Sequence, residues 1–144
     1  MSFQKAIQNI PAISKCYQNG LQALGNHSSM IVPSDPRNCN GSVDLDQCLA
    51  NTFPNEARWD YAVGYNNRCY FIEVHPASGQ VSQIIAKVTW LRNWLKVEGA
   101  LLLAIHNDDQ SFHWIPTSGV NIPQRYKAQL AQNKIIVKSS LTLT

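Results

Sequence analysis

Asp60 and Glu73 are the residues of this chain best placed to do chemistry. They lie on opposite arms of a segment, Arg58 to His75, that has the pattern of a tight β-hairpin. Asn66-Asn67 supplies the turn, because Asn tolerates the positive φ that two-residue hairpin loops demand. With that pair as the loop, Tyr65 faces Arg68, Val63 faces Tyr70 and Asp60 faces Glu73. Side chains directly opposite on antiparallel strands have Cβ atoms about 4.5–5.5 Å apart. Two carboxylates at that distance repel unless a positive charge sits between them, and a divalent cation with oxygen ligands is the natural occupant. His75, two residues beyond Glu73, falls on the same sheet face, since strand side chains alternate. An acid, a facing acid and a third polar group in this spacing outline a hydrolytic site.

Blander accounts compete for the same residues. Asp60 and Glu73 also read as two solvated surface acids screened by Arg58. Asp44 and Asp46 suit strand-edge solvation better than a metal, and a turn explains His106, Asp108 and Asp109. Arg125, Lys127, Lys134 and Lys138 suit either a phosphate-facing patch or a scattered solvated face. Trp90 and Trp94 sit off the main apolar face of their helix, to pack on another element or to stack on bases. A Cys69 or Ser78 hydrolase built with His75 ranks last. Cys69 lies six residues from His75 along one strand, roughly 20 Å at about 3.3 Å per residue, and Ser78 lacks a nucleophile-elbow pattern.

The elements that must position the acids follow from periodicity. Phe3, Ile7, Ile10, Ile13, Tyr17, Leu21 and Leu24 recur every three or four residues, which predicts a helix over Phe3 to Leu24 that Pro11 interrupts. Asn26 to Gly41 is a loop by composition, and 42–46 is a short strand. The hairpin occupies 58–65 and 68–75, stopped by Pro76-Ala77-Ser78-Gly79. Val81 to Lys96 is the strongest helix, with Val81, Ile84, Ile85, Val88, Leu91 and Leu95 on one face and Gly99 as its stop. Ala100 to Ile105 is a continuous apolar run that suits a strand buried on both faces. Ser111 to Pro116 reads as a short strand, Pro123 to Asn133 as a last helix and Lys134 to Leu143 as a closing strand. A hairpin, a helix and a buried strand in that order require a mixed sheet, the helix crossing over so that the buried strand runs parallel to an earlier one.

The chain has 144 residues, enough for one domain (1–144) with a sizeable core. Being 44% hydrophobic and only 15% charged, it is not disordered. The net charge of +3 is compatible with a polyanionic partner without requiring one. No apolar run approaches the ~18–20 residues that span a bilayer, and the first residues lack a signal-peptide apolar core, so no membrane association and a cytoplasmic location are expected. Cys16, Cys39, Cys48 and Cys69 match no common zinc spacing. Free thiols in a reducing compartment explain them better than a metal held by His27, Cys39 and Cys48.

The element order, together with Asp60…Glu73-Val74-His75, resembles the PD-(D/E)xK, or restriction-endonuclease-like, nuclease superfamily over roughly residues 3 to 105. The resemblance implies an α/β fold. Its mixed central sheet is flanked by helices, around a core of helix, three-strand meander, helix and strand, here with C-terminal additions. It implies a metal-dependent nuclease acting on DNA or RNA, with Asp60 as the first acid, Glu73 as the second, and Mg²⁺ or Mn²⁺ held by both and by the Val74 carbonyl. The alternative it allows is an inactive domain of the same fold that binds nucleic acid or a protein partner. A homodimer is a further expectation. Three departures stand out: His75 occupies the motif lysine position, Trp59 replaces the proline before the first acid, and the first helix holds no acid. Some family members supply the lysine from the following helix, where Lys87 lies. His75 would orient or deprotonate the water as an imidazole. An imidazole suits softer ions, so Mn²⁺ is favoured over Mg²⁺.

Overall fold

The computed structural model describes residues 1–76, 81–117 and 122–144. The expected strand stop at 77–79, and Ser78 with it, lie outside the described residues.

The hairpin forms with the register that its turn dictates. Asn66 and Asn67 take φ of 51° and 57°, and β3 (Tyr61–Tyr65) pairs antiparallel with β4 (Arg68–Val74), Tyr65 opposite Arg68 and Val63 opposite Tyr70. β2 (Cys39–Asp44) lies antiparallel on the other side of β3, completing a meander. After α3 (Val81–Val97), the chain returns as β5 (Phe112–Ile115), parallel to β4, and β6 (Ile135–Val137) follows parallel to β5. The result is a mixed five-stranded sheet in the order β2-β3-β4-β5-β6.

Alternation along the strands divides the core in two. Ala62, Cys69, Phe71, Phe112 and Trp114 face α1 (Phe3–Gln8) and the apolar stripe of α3. Tyr61, Val63, Tyr65, Ile72 and Val74 face Leu24, Ile31, Leu141 and Leu143 on the opposite side. That side is covered by the 3-10 turns of Gln22–Met30 and by a two-stranded parallel sheet of β1 (Ile31–Pro33) and β7 (Leu141–Leu143). α1 approaches the sheet over Gly64, where a Cβ would lie 2.4 Å from the Phe3 ring.

Four expectations need correction. The first helix ends at Gln8, not Leu24. Beyond it Ile10, Ile13 and Cys16 each donate to the carbonyl three residues back, so the apolar spacing of three continues as turns once Pro11 removes a helical donor. The 26–41 segment is not a bare loop, since it contributes β1, a 3-10 turn at Pro36–Asn38 and the start of β2. Ala100–Leu103 is a helix, α4, instead of a buried strand. Ala and Leu are the strongest helix formers, and only Ile105 in that run is β-branched. The parallel strand that the topology requires is β5. Finally, 134–143 is two strands in two sheets, because the chain breaks at Ser139-Ser140 and β7 crosses to pair with β1. α5 (Gln124–Gln132) matches the expected last helix.

Candidate active site

Asp60 lies immediately before β3 and Glu73 on β4, so the register that sets Tyr61 opposite Ile72 also sets the two acids side by side. Each carboxylate is fixed by the other strand's backbone. The Asp60 N–H donates to Glu73 Oε1 (3.0 Å), and the Val74 N–H donates to Asp60 Oδ2 (3.0 Å). The two remaining oxygens converge on the ammonium of Lys87 from α3, which lies 2.5 Å from Glu73 Oε2 and 3.8 Å from Asp60 Oδ1. His75 Nδ1 is 3.8 Å from the same Glu73 oxygen. The structure therefore brings together Asp60, Glu73, His75 and Lys87, with Val74 contributing through its N–H.

Burial sets the electrostatics. Glu73 is fully buried, and the Asp60 side chain is only 18% exposed, which removes the reading of two solvated surface acids. Arg58 does not screen them; it pairs with Asp46 (3.0 Å) and donates to the Phe53 carbonyl. Loss of water, and secondly the charge of Asp60, push the Glu73 carboxyl up to about 8 against the pull of Lys87. Burial likewise raises Asp60, with Lys87 opposing it. Burial works against the Lys87 charge, but Glu73 and Asp60 more than offset that and raise its pKa. The pair thus holds a proton near neutral pH that a stronger cation would displace.

Other residues take structural roles. Asp44 accepts from the Gln47 N–H (2.9 Å) and caps α2 (Leu45–Cys48). His27 Nδ1 meets the Tyr61 hydroxyl at 2.9 Å, and burial with the nearby acids pushes that phenol up to about 12. Asp109 binds Asn107 and Ser111 within the turn expected there, and Asp108 pairs with Arg68. Arg125, Lys127, Lys134 and Lys138 are exposed, Lys134 donating to the Asp109 carbonyl. Trp94 is buried and stacks with Trp90 on the same helix, and Trp90 meets Phe53 of the segment after α2 edge-on.

The cysteine expectation is corrected. Cys16 and Cys48 form a disulfide, while Cys39 and Cys69 are free. A pairing across 32 residues leaves no sequence pattern, and with Cys48 bonded and His27 on Tyr61 the alternative metal trio does not assemble. The argument for a reducing compartment loses its basis. Among the described residues no helix is long and apolar enough to cross a membrane.

A solvated helix flank is the commoner fate of a lysine such as Lys87, but Ile84, Lys87, Val88 and Leu91 follow the i, i+3, i+4, i+7 spacing of a buried stripe.

No protein-family model matches the chain, and no curated protein or solved structure matches it.

Two carboxylates are a partial donor set of the kind a divalent ion such as Mg²⁺ or Mn²⁺ completes with water and substrate oxygens. Among the described residues no group of three or more His, Cys, Asp or Glu side chains could enclose a metal. Mg²⁺ commonly takes one or two carboxylates and completes its shell with water and substrate phosphates. Once both acids are ionised, two carboxylates facing one lysine carry a net negative charge, which such an ion would neutralise.

Proposed function

We propose that this protein is a metal-dependent nuclease with a restriction-endonuclease-like core, hydrolysing phosphodiester bonds of DNA or RNA. One observation carries the reading. Two acids on adjacent strands and a lysine from the next helix, Asp60, Glu73 and Lys87, meet at one point. Mg²⁺ or Mn²⁺ would be held by Asp60, Glu73 and the Val74 carbonyl. When bound, it supplies Lewis-acid neutralisation of the phosphate and a lower pKa for water.

The chain's own residues do the rest. The paired backbone donors hold Asp60 Oδ2 and Glu73 Oε1, so the acids cannot turn away. The Lys87 ammonium would offset the negative charge that gathers on the phosphoryl oxygens as the water oxygen bonds to phosphorus and the ester P–O bond breaks. His75 takes the water proton on its imidazole, and the leaving oxygen is protonated from solvent.

The test is hydrolysis of labelled DNA and RNA with Mn²⁺ or Mg²⁺, by the parent protein and by Asp60→Asn and Glu73→Gln. Loss of cleavage in both variants is expected; cleavage that survives both overturns the proposal. The Glu73–Lys87 pair itself favours a second reading, since it already neutralises Glu73 without a metal. On that reading the domain has the same fold and binds nucleic acid without cutting it.

A further inference from the structure

A cleft of about 640 Å³ opens at the start of α2, one hydrogen-bonded step from Asp60 and lined by neither acid of the pair. Lys15, Gln18 and Gln22 line one wall, and Asp44 and Gln47 line the other. The Cys16–Cys48 disulfide ties the two walls together and lines the cleft itself. The second wall is hydrogen-bonded to the candidate site, because the Leu45 and Asp46 N–H groups both donate to the Asp60 carbonyl (2.8 and 3.3 Å).

Lys15, Gln18, Gln22 and Gln47 are exposed, and their chemistry suits nucleotide recognition, the Asp44 carboxylate of the same cleft being engaged by the Gln47 N–H. A carboxamide offers a donor pair and an acceptor together, which matches the edge of a base, and a lysine ammonium suits a phosphate as a point charge. The volume lies within the roughly 300–1,000 Å³ that encloses small ligands. A stacked duplex keeps its bases inward and presents no single nucleotide to such a cleft.

We propose that this cleft receives an unpaired nucleotide of a DNA or RNA strand, Lys15 meeting a phosphate and Gln18, Gln22 and Gln47 the base. This rests on the nuclease reading, since it places the neighbouring phosphodiester at Asp60 and Glu73.

The experiment is fluorescence anisotropy with short labelled single-stranded DNA and RNA, and with duplexes of the same sequences, all in EDTA so that nothing is cleaved. The parent protein is compared with the fourfold variant Lys15→Ala/Gln18→Ala/Gln22→Ala/Gln47→Ala, whose folding is checked by thermal melting. The expected result is preference for single strands and a rise in Kd of about tenfold or more in the variant. Lys15→Ala alone should lower the salt slope by about 0.7. An unchanged Kd in the variant, equal affinity for duplex, or no binding by the parent overturns the cleft. Cleavage by the parent with an unchanged KM in the variant overturns it while leaving the nuclease reading intact. Cleft-dependent binding without any cleavage supports the cleft and removes the nuclease reading.

Discussion

Lys87 Nζ lies 2.5 Å from Glu73 Oε2 and 3.8 Å from Asp60 Oδ1, so one helical cation serves two strand acids. Lys87→Met keeps the stem's packing and removes the charge. Breaking a buried pair costs about 3–5 kcal/mol when the surviving partner stays ionised. Glu73 has an escape, because it can take up a proton. The loss should therefore be small near pH ~5 and approach that full range above pH ~8. Urea melts at the two pH values measure it, and an equal loss at both contradicts the assignment. Cleavage should fall by about 10²–10³ if Lys87 stabilises charge on the phosphate.

Glu73 also sets the sign of the protein's own pH dependence. Its carboxyl is raised from 4.5 to about 8, by burial first and Asp60 second. Between those values the folded state binds a proton that the unfolded chain releases. Stability is thus fully present below about pH 4.5 and declines as pH rises through about 8, with a slope of at most ~1.4 kcal/mol per pH unit. Asp60, also raised by burial, adds to the decline. Glu73→Gln should flatten the profile and be more stable than the parent above pH ~8. A parent profile that rises over this window would show that Lys87 keeps Glu73 ionised.

A cation bound between these acids must displace the proton that burial keeps on Glu73. Mn²⁺ should raise the melting temperature in a concentration-dependent way, worth about 2.7 kcal/mol at a hundred times Kd. Its affinity should tighten as pH climbs toward about 8. Mn²⁺ should outperform Mg²⁺ in both stabilisation and cleavage, because the His75 imidazole lies 3.8 Å from Glu73. Thermal shifts with each ion check this, with Asp60→Asn/Glu73→Gln as the variant in which the shift should vanish. Stronger activity with Mg²⁺ would show that His75 does not set the metal preference.

The site was more legible in the sequence than the fold around it. The Asn66-Asn67 turn fixes a register, and a register fixes which residues oppose, so Asp60 and Glu73 were readable as a pair from local chemistry alone. Lys87 needed a tertiary fact. Its helical spacing marks it as facing inward, but only a buried acid across the interface explains why a lysine should be there. The 100–105 run failed because an unbroken apolar stretch has no period, and Ala-Leu content then favours helix over strand. β1 and β7 were invisible for another reason. Each is only three residues long, and their pairing joins chain segments more than a hundred residues apart. The disulfide was equally hidden, since no spacing rule links Cys16 to Cys48.

That disulfide makes a prediction separate from the acids. Cys16 lies in the turns after α1, and Cys48 ends α2, so the bond closes a loop across 32 residues of separation. In the chain-entropy account, a loop of this size stabilises the folded state by about 3–4 kcal/mol. Cys16→Ser/Cys48→Ser, or reduction of the parent, should lower stability by that order in urea melts while leaving the Mn²⁺-induced shift in place, because neither sulfur touches Asp60 or Glu73. Thiol titration in denaturant should count the two free groups, Cys39 and Cys69, before reduction and all four cysteines after it. Four reactive thiols before reduction would mean that the two segments are held by packing and by hydrogen bonds such as the Gln18–Ser42 backbone pair and Tyr17 to the Asn40 carbonyl, and the stability difference should then disappear.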